Sequence, residues 1–332
     1  MPAPPKLHHY VPQVYLRQFA RSDGRLITYR KDDPKNPHPK LPREVGAQNN
    51  DYAQPLPDGS LDRGLEDFFQ RTERLWPSIV ESFKAEGQIS HNLVEPFYEF
   101  LGAMRVRGPA SRDAAELAYA EQVRMAGELL ERRGDLPPPP PGLEEALAIK
   151  NLVLTVDPHQ SIHALPHMLN GFARVLDHLG FCLVRNETAV DLITSDNPVV
   201  YFNPTAPEDK LRPYAIENGP PIELLFPITP KILIVGHSDW AGPNGHSRFR
   251  EMRCTATNII RRANRYVARF AYREVYATSR APDALVAKWA HESPIVRHTA
   301  LEGERGSGLV TQWVFGPRPL KPKWKRATPP SA

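Results

Sequence analysis

From Phe181 to Ser195 the chain reads FCLVRNETAVDLITS, and from Ile222 to His237 it reads IELLFPITPKILIVGH. Both stretches hold β-branched and aliphatic residues in short runs. Asn186-Glu187 interrupts the first and Pro230-Lys231 the second, the pattern of strands joined by turns. Before them, from Asp62 to Gly180, the apolar period is helical instead. Leu65, Phe68, Phe69, Leu75, Trp76, Ile79, Val80 and Phe83 form one stripe over residues 62–86, with Pro77 as a point of bending. Four short strands after a series of helices predict an α+β fold. Its amino-terminal and middle parts are expected to be mainly helical, with a small mixed or antiparallel sheet formed largely by the carboxyl-terminal half.

Further helices are expected over 93–107, ended by Gly108-Pro109, over 112–133, and over 143–155 and 159–179, with Asp157-Pro158 restarting the last. Five prolines at 137–141 form a stiff spacer, so 135–142 is a candidate subdomain break. Beyond the strands, 251–271 reads as a helix, 275–279 as a strand, 283–290 as a helix and 309–315 as a last strand. Upstream, Pro12 keeps Val11 out of helical angles, so a helix begins at Pro12 or later. RLITYRK (25–31) reads as a strand, and the Pro-, Asn- and Gly-rich residues 32–60 as a long irregular connection beside a site. The whole is expected as one large domain over 7–316. A loose leader precedes it over 1–6, and an irregular, solvated tail follows over 317–332.

Composition excludes several classes. The chain has 332 residues, of which 36 are proline, about twice the usual share, which disfavours coiled coils and long regular strands. Two cysteines, Cys182 and Cys254, exclude a disulfide scaffold and a four-thiolate zinc site. MPAPPKLHHY lacks the apolar run of a signal peptide, and no stretch reaches the length of a membrane span; the expectation is a cytoplasmic protein without a membrane partner. No P-loop, GxGxxG, GxSxG or HExxH pattern occurs.

The net charge of +4 is carried by the tail, where Arg318, Lys321, Lys323, Lys325 and Arg326 meet no acid. A second basic concentration runs from Arg248 to Arg273, with eight arginines and one acid, Glu251. Arg261, Arg265 and Arg269 are four apart, one face of a helix. Such a row either binds an anion or is matched by acids from elsewhere in the fold.

Several side chains have the chemistry of a site. His8 and His9 suit metal ligation or general-base work, and alternation along extended chain allows one of them to face a given site. Glu66 and Glu73 are nearly two turns apart on the 62–86 helix and border one cleft, about 10 Å apart by rise. Arg105 and Arg107 close the next helix as a possible anion clamp. Asp196 and Asn197, in SDNP directly after a strand, offer a carboxylate and an amide for a divalent ion or for orienting a histidine; the competing reading is a turn in which they satisfy backbone amides. His163 and His167 are an alternative metal pair, weakened by Pro166 between them.

HHYVPQVYLRQFA at 8–20 together with SDNPVV at 195–200 resembles a large bacterial family catalogued only as a domain of unknown function. Its members look like His-x-x-Val-Pro-x-x-Tyr-Leu-x-x-Phe at the start and Ser-Asp-Asn-Pro after the helical middle. Here these fall on His8–Phe19 and Ser195–Pro198, and the likeness extends over most of residues 8–279. The resemblance implies membership and no particular reaction.

The functional expectation joins these pieces. His9, Glu66, Glu73, Asp196 and Asn197 are expected to do chemistry around a divalent metal ion held by His8, His9, Glu66 and Asp196. Arg105, Arg107, Arg261, Arg265 and Arg269 are expected to bind an anionic substrate, a phosphodiester among the candidates. That is a metal-assisted, nuclease-like hydrolase. The competing readings are a non-catalytic nucleic-acid or protein binding module that uses the arginine helix, and an enzyme acting on a small carboxylated metabolite.

Overall fold

The computed structural model describes residues 7–49, 54–55, 61–62, 64–86, 89–216, 219, 221–242, 249–303, 306–319 and 321. The leader, parts of 50–60, Arg248 and most of the tail, including Lys323, Lys325 and Arg326, lie outside them.

The fold is α+β. A five-stranded sheet is built wholly from residues 180–254, in the spatial order Arg250–Cys254, Gly180–Asn186, Ile232–His237, Glu223–Thr229, Val200–Phe202. The hairpin at Pro230-Lys231 forms as expected, with Leu225 opposite Val235. A second sheet, of four strands, corrects the expectation that sheet belongs largely to the carboxyl-terminal half. Leu26–Arg30 lies at its heart, between Asp33–Lys40 and Glu274–Ala277, and Thr194–Ser195 closes the far side.

The stretch FCLVRNETAVDLITS therefore does not fold back on itself. Its first half enters the larger sheet and its end enters the smaller one. Asn186 turns the chain aside. Its Oδ1 accepts from the Thr188 N–H and hydroxyl, while its Nδ2 donates to the carbonyls of Val190 and Pro230. An Asx-type turn thus takes the place of a tight hairpin.

The described part of 32–60 is more regular than its composition suggests. Asp33–Lys40, with Pro34, Pro37 and Pro39, is a strand, followed by a turn of 3-10 helix at Pro42–Glu44 and the strand Ala47–Asn49. Proline is tolerated there because Asp33–Lys40 is an edge strand, with no further strand paired to its outer side among the described residues. At the other end of the larger sheet, 250–254 is a strand paired parallel with Gly180–Asn186, so the arginine helix begins only at Thr257 and runs to Phe270.

Helices Gly64–Glu86, His91–Val106 and Leu165–Leu176 pack together against the larger sheet. Pro109 opens the helix to Arg133, and Gly134 at φ 73° ends it. After the exposed prolines the chain packs back on that same helix: Arg124 donates to the carbonyls of Ile149 and Leu152. The expected helix 143–155 is reduced to Glu144–Leu147 and a 3-10 turn, Ile149–Asn151.

Tyr15 ties these layers to one another. Its ring stacks on Phe226 at 5.5 Å and lies beside Trp76, itself stacked on Phe100 at 4.0 Å. Its hydroxyl donates to the carbonyl of Pro227 in the larger sheet and bonds Thr194 of the smaller one. The apolar side of the arginine helix divides between two cores. Ile260, Ala263, Tyr266 and Phe270 enter the large one, and Val267 and Ala268 a smaller one with Ile27, Val275 and Trp289. Among the described residues no helix is long and apolar enough to cross a membrane.

Candidate active site

Three distant stretches meet at a cleft of about 160 Å3 lined by His8, His9, Glu66, Gln70, Glu73 and Arg107, with Phe69 as its apolar wall. The histidines stand on the strand Leu7–His9, paired antiparallel with Ala47–Asn49 so that His8 faces Gln48 and His9 faces Ala47. Val11 N–H donates to Gly46 O just beyond. Gly46 has φ 63°, and a Cβ there would lie 2.9 Å from Val11 Cβ, so only glycine lets the two segments run this close. Both histidines contribute to the cleft wall, which corrects the expectation from simple alternation. The strand is three residues long and the chain bends at Tyr10 and Val11, so strict two-sidedness does not persist to the cleft.

Glu66, Phe69, Gln70 and Glu73 follow the i, i+3, i+4, i+7 spacing and present one helix face, as the sequence spacing predicts for the two glutamates. Arg107, at the C-cap of His91–Val106, is almost wholly buried. Its Nε donates to Tyr10 O at 2.7 Å and one Nη to Glu73 Oε1 at 2.8 Å, and its guanidinium lies over Phe69. It thereby joins the histidine strand to the glutamate helix. Glu66 receives a long contact from Gln70 Nε2 at 3.4 Å and has no cationic partner among the described residues.

His9 Nε2 lies 3.2 Å from the carbonyl oxygen of Arg43. A carbonyl only accepts, so Nε2 carries the proton and Nδ1 is the basic atom of the neutral ring. Burial pushes the His9 pKa below its usual value, partly offset by that carbonyl. The ring is therefore neutral, and basic, at neutral pH.

Asp196 and Asn197 do not line this cleft. Asp196 is buried, and its two oxygens accept the backbone N–H groups of Tyr272 (2.8 Å) and Arg273 (2.7 Å). Burial raises its pKa to about 6, against the lowering effect of those two amides. Asn197 Nδ2 donates to Tyr214 Oη and to the carbonyl of Phe270 at 2.8 Å. SDNP thus pins the exit of the arginine helix, in the manner of the backbone-satisfying reading.

The arginines part company. Arg105 is enclosed by aromatic rings, with its guanidinium carbon 3.5 Å from the centroid of Tyr214 and near Tyr201 and Trp313, and it donates to Ser111. Arg265 pairs with Glu208 and Arg269 with Glu292. Arg261 is exposed and borders a separate hollow with Asp191 and Asn264. The row of like charges expected from the spacing is therefore largely neutralised by acids from distant loops. His163 falls in a 3-10 turn, Pro158–Ala164, and His167 in the helix that follows, so an α-helical i, i+4 relationship does not hold between them. Among the described residues no three His, Cys, Asp or Glu side chains are grouped to hold a metal ion.

Lys31 carries no marked signal in the sequence. Its ammonium group is buried and donates to the carbonyls of Ala268 (3.1 Å) and Ala271 (2.9 Å) and to that of Glu292. Its only local signal is a lysine at the end of an apolar strand. No curated protein and no solved structure matches the chain. The sequence pattern of one family fits residues 7–281, and the chain belongs to that family, described as "Protein of unknown function (DUF4238)".

Proposed function

We propose that the histidine–glutamate cleft hydrolyses an anionic substrate with the help of a divalent metal ion. The observation that carries this reading is the meeting of His8, His9, Glu66 and Glu73 in one cleft where Arg107 already matches Glu73 and Glu66 has no cationic partner among the described residues. An anion approaching that carboxylate needs a positive charge between the two. Carboxylate oxygen and imidazole nitrogen are suitable donors. A magnesium-like ion, held by one or two side chains and completed by water and substrate oxygens, requires no closed set of three protein ligands. Such an ion supplies Lewis-acid polarisation of the scissile group. His9 Nδ1 accepts the proton of the attacking water, and Arg107 fixes Glu73 and the strand that carries His9.

The cleft volume suits a single phosphate group and its immediate neighbours, so a phosphodiester presents one scissile group at a time. A small carboxylated metabolite is the second reading, favoured by the same volume. A nucleic-acid binding module draws less support, because Arg265 and Arg269 are already matched by glutamates.

The test is release of p-nitrophenol from bis(p-nitrophenyl) phosphate with Mg2+ or Mn2+. We expect turnover that chelator abolishes and that falls about a hundred-fold or more in His9→Ala and Glu66→Gln. Equal rates in these variants, or no turnover with either metal, overturn the reading.

A further inference from the structure

A second, larger hollow shares no residue with the histidine cleft. It has a volume of about 820 Å3, within the usual range for small-molecule sites, and lies where the loop 206–212, the end of the arginine helix, His291-Glu292 and Val314–Pro317 come together. Lys210, Arg212 and Arg269 face it, against the carboxylates of Asp209 and Glu292.

Arg269 is its built element. More than nine-tenths of it is buried. Glu292 Oε2 holds its Nε at 2.6 Å, and the carbonyl of Glu208 holds Nη1 at 3.2 Å. The guanidinium carbon lies 4.0 Å from the centroid of Phe315 and 4.9 Å from that of Trp289. Nη2 makes no hydrogen bond to a described residue. A guanidinium fixed on two edges and stacked on aromatic rings loses little freedom when its remaining edge meets an anion. Glu292 already occupies one edge, so a ligand needs further cations to bind firmly. Lys210 is exposed and has no acidic partner among the described residues. Phe315, Val314 and Leu211 add apolar wall.

We propose that this hollow binds a phosphate monoester whose organic part carries an apolar or aromatic group. The phosphate oxygens lie against Arg269 Nη2 and Lys210, and the organic part against Phe315 and Leu211. A phosphate is preferred to a carboxylate because it carries up to two charges and three acceptor oxygens, enough for cations on two different elements.

Calorimetric titration of the full chain with phenyl phosphate, inorganic phosphate and benzoate tests this. Phenyl phosphate is expected to bind saturably and tightest of the three. Lys210→Glu is expected to weaken it about five-fold or more, and Arg269→Gln about thirty-fold or more. His9→Ala is expected to bind it like the wild type, which separates this site from the proposed hydrolytic cleft. Should Arg269→Gln lose its fold by circular dichroism, the exposed Lys210→Glu decides. Absence of saturation up to about 10 mM, tighter binding of benzoate, or unchanged affinity in Lys210→Glu overturns the proposal.

Discussion

Lys31 and Asp196 hold opposite polar groups of the same turn of chain. The Lys31 ammonium takes the carbonyls of Ala268 and Ala271, and the Asp196 carboxylate takes the N–H groups of Tyr272 and Arg273. The exit of the arginine helix is thus gripped by one buried cation and one buried anion, each bonded to backbone. Charge at these positions follows the polarity of a helix C-terminus and of the free amides beyond it.

Replacing Lys31 by methionine leaves those carbonyls without their donor and Asp196 without its nearby cation. We expect a loss of about 3 kcal/mol, measured by urea unfolding. The loss depends on pH. Burial lowers the Lys31 pKa from 10.5 to about 7. The folded state therefore binds fewer protons than the unfolded state between these values, and this group's contribution grows as pH rises from about 7 toward 10.5. The gap between wild type and Lys31→Met should widen over that range; parallel stability curves would show that the lysine is not held as described.

Asp196→Asn exchanges one accepting oxygen for an amide that points its own hydrogens at a backbone N–H. A destabilisation of about 2–4 kcal/mol is expected. In a double-mutant cycle with Lys31→Met, a coupling of about 1 kcal/mol or more should remain. Simple additivity would mean that the two groups act on separate parts of the turn.

Gly46→Ala combines an unfavourable backbone angle with a contact against Val11. The expected cost is about 1–3 kcal/mol, and hydrogen exchange at the Val11 amide should quicken. Unchanged exchange there would contradict the close approach of the two segments.

Tyr15→Phe removes one hydroxyl that serves two sheets. With Pro227 O and Thr194 left to find other partners inside the core, we expect a loss of about 1–3 kcal/mol and a lower Tm. A neutral substitution would argue against this junction.

For the proposed reaction, burial of His9 sets the acid limb of the rate profile. Its base form persists below pH 6.5, so the rate should rise with pH through an apparent pKa under 6.5 and level off above it. His9→Gln, measured across pH 5–8 on the same phosphodiester, should lose that limb along with most of the rate. A limb kept intact in the variant assigns the base to another group.

The local elements are legible in the residue pattern. Apolar period locates the helices that carry Glu66, Glu73 and Arg105 and the helix end that carries Arg107, Pro230-Lys231 locates the central hairpin, and the change of period announces an α+β fold. Residues seven apart on a helix share a face whatever surrounds them, so two glutamates of the cleft were also legible. Where separate stretches meet is a matter of long-range packing. It sent Thr194–Ser195 to a different sheet from Gly180–Asn186, turned three prolines into an edge strand, and gave Arg265 and Arg269 acidic partners at Glu208 and Glu292. It also set Asp196 on backbone amides 76 and 77 residues away. The physical reason is range: side-chain spacing and turn chemistry act over a few residues, whereas the partner of a buried charge is chosen by packing across the whole chain.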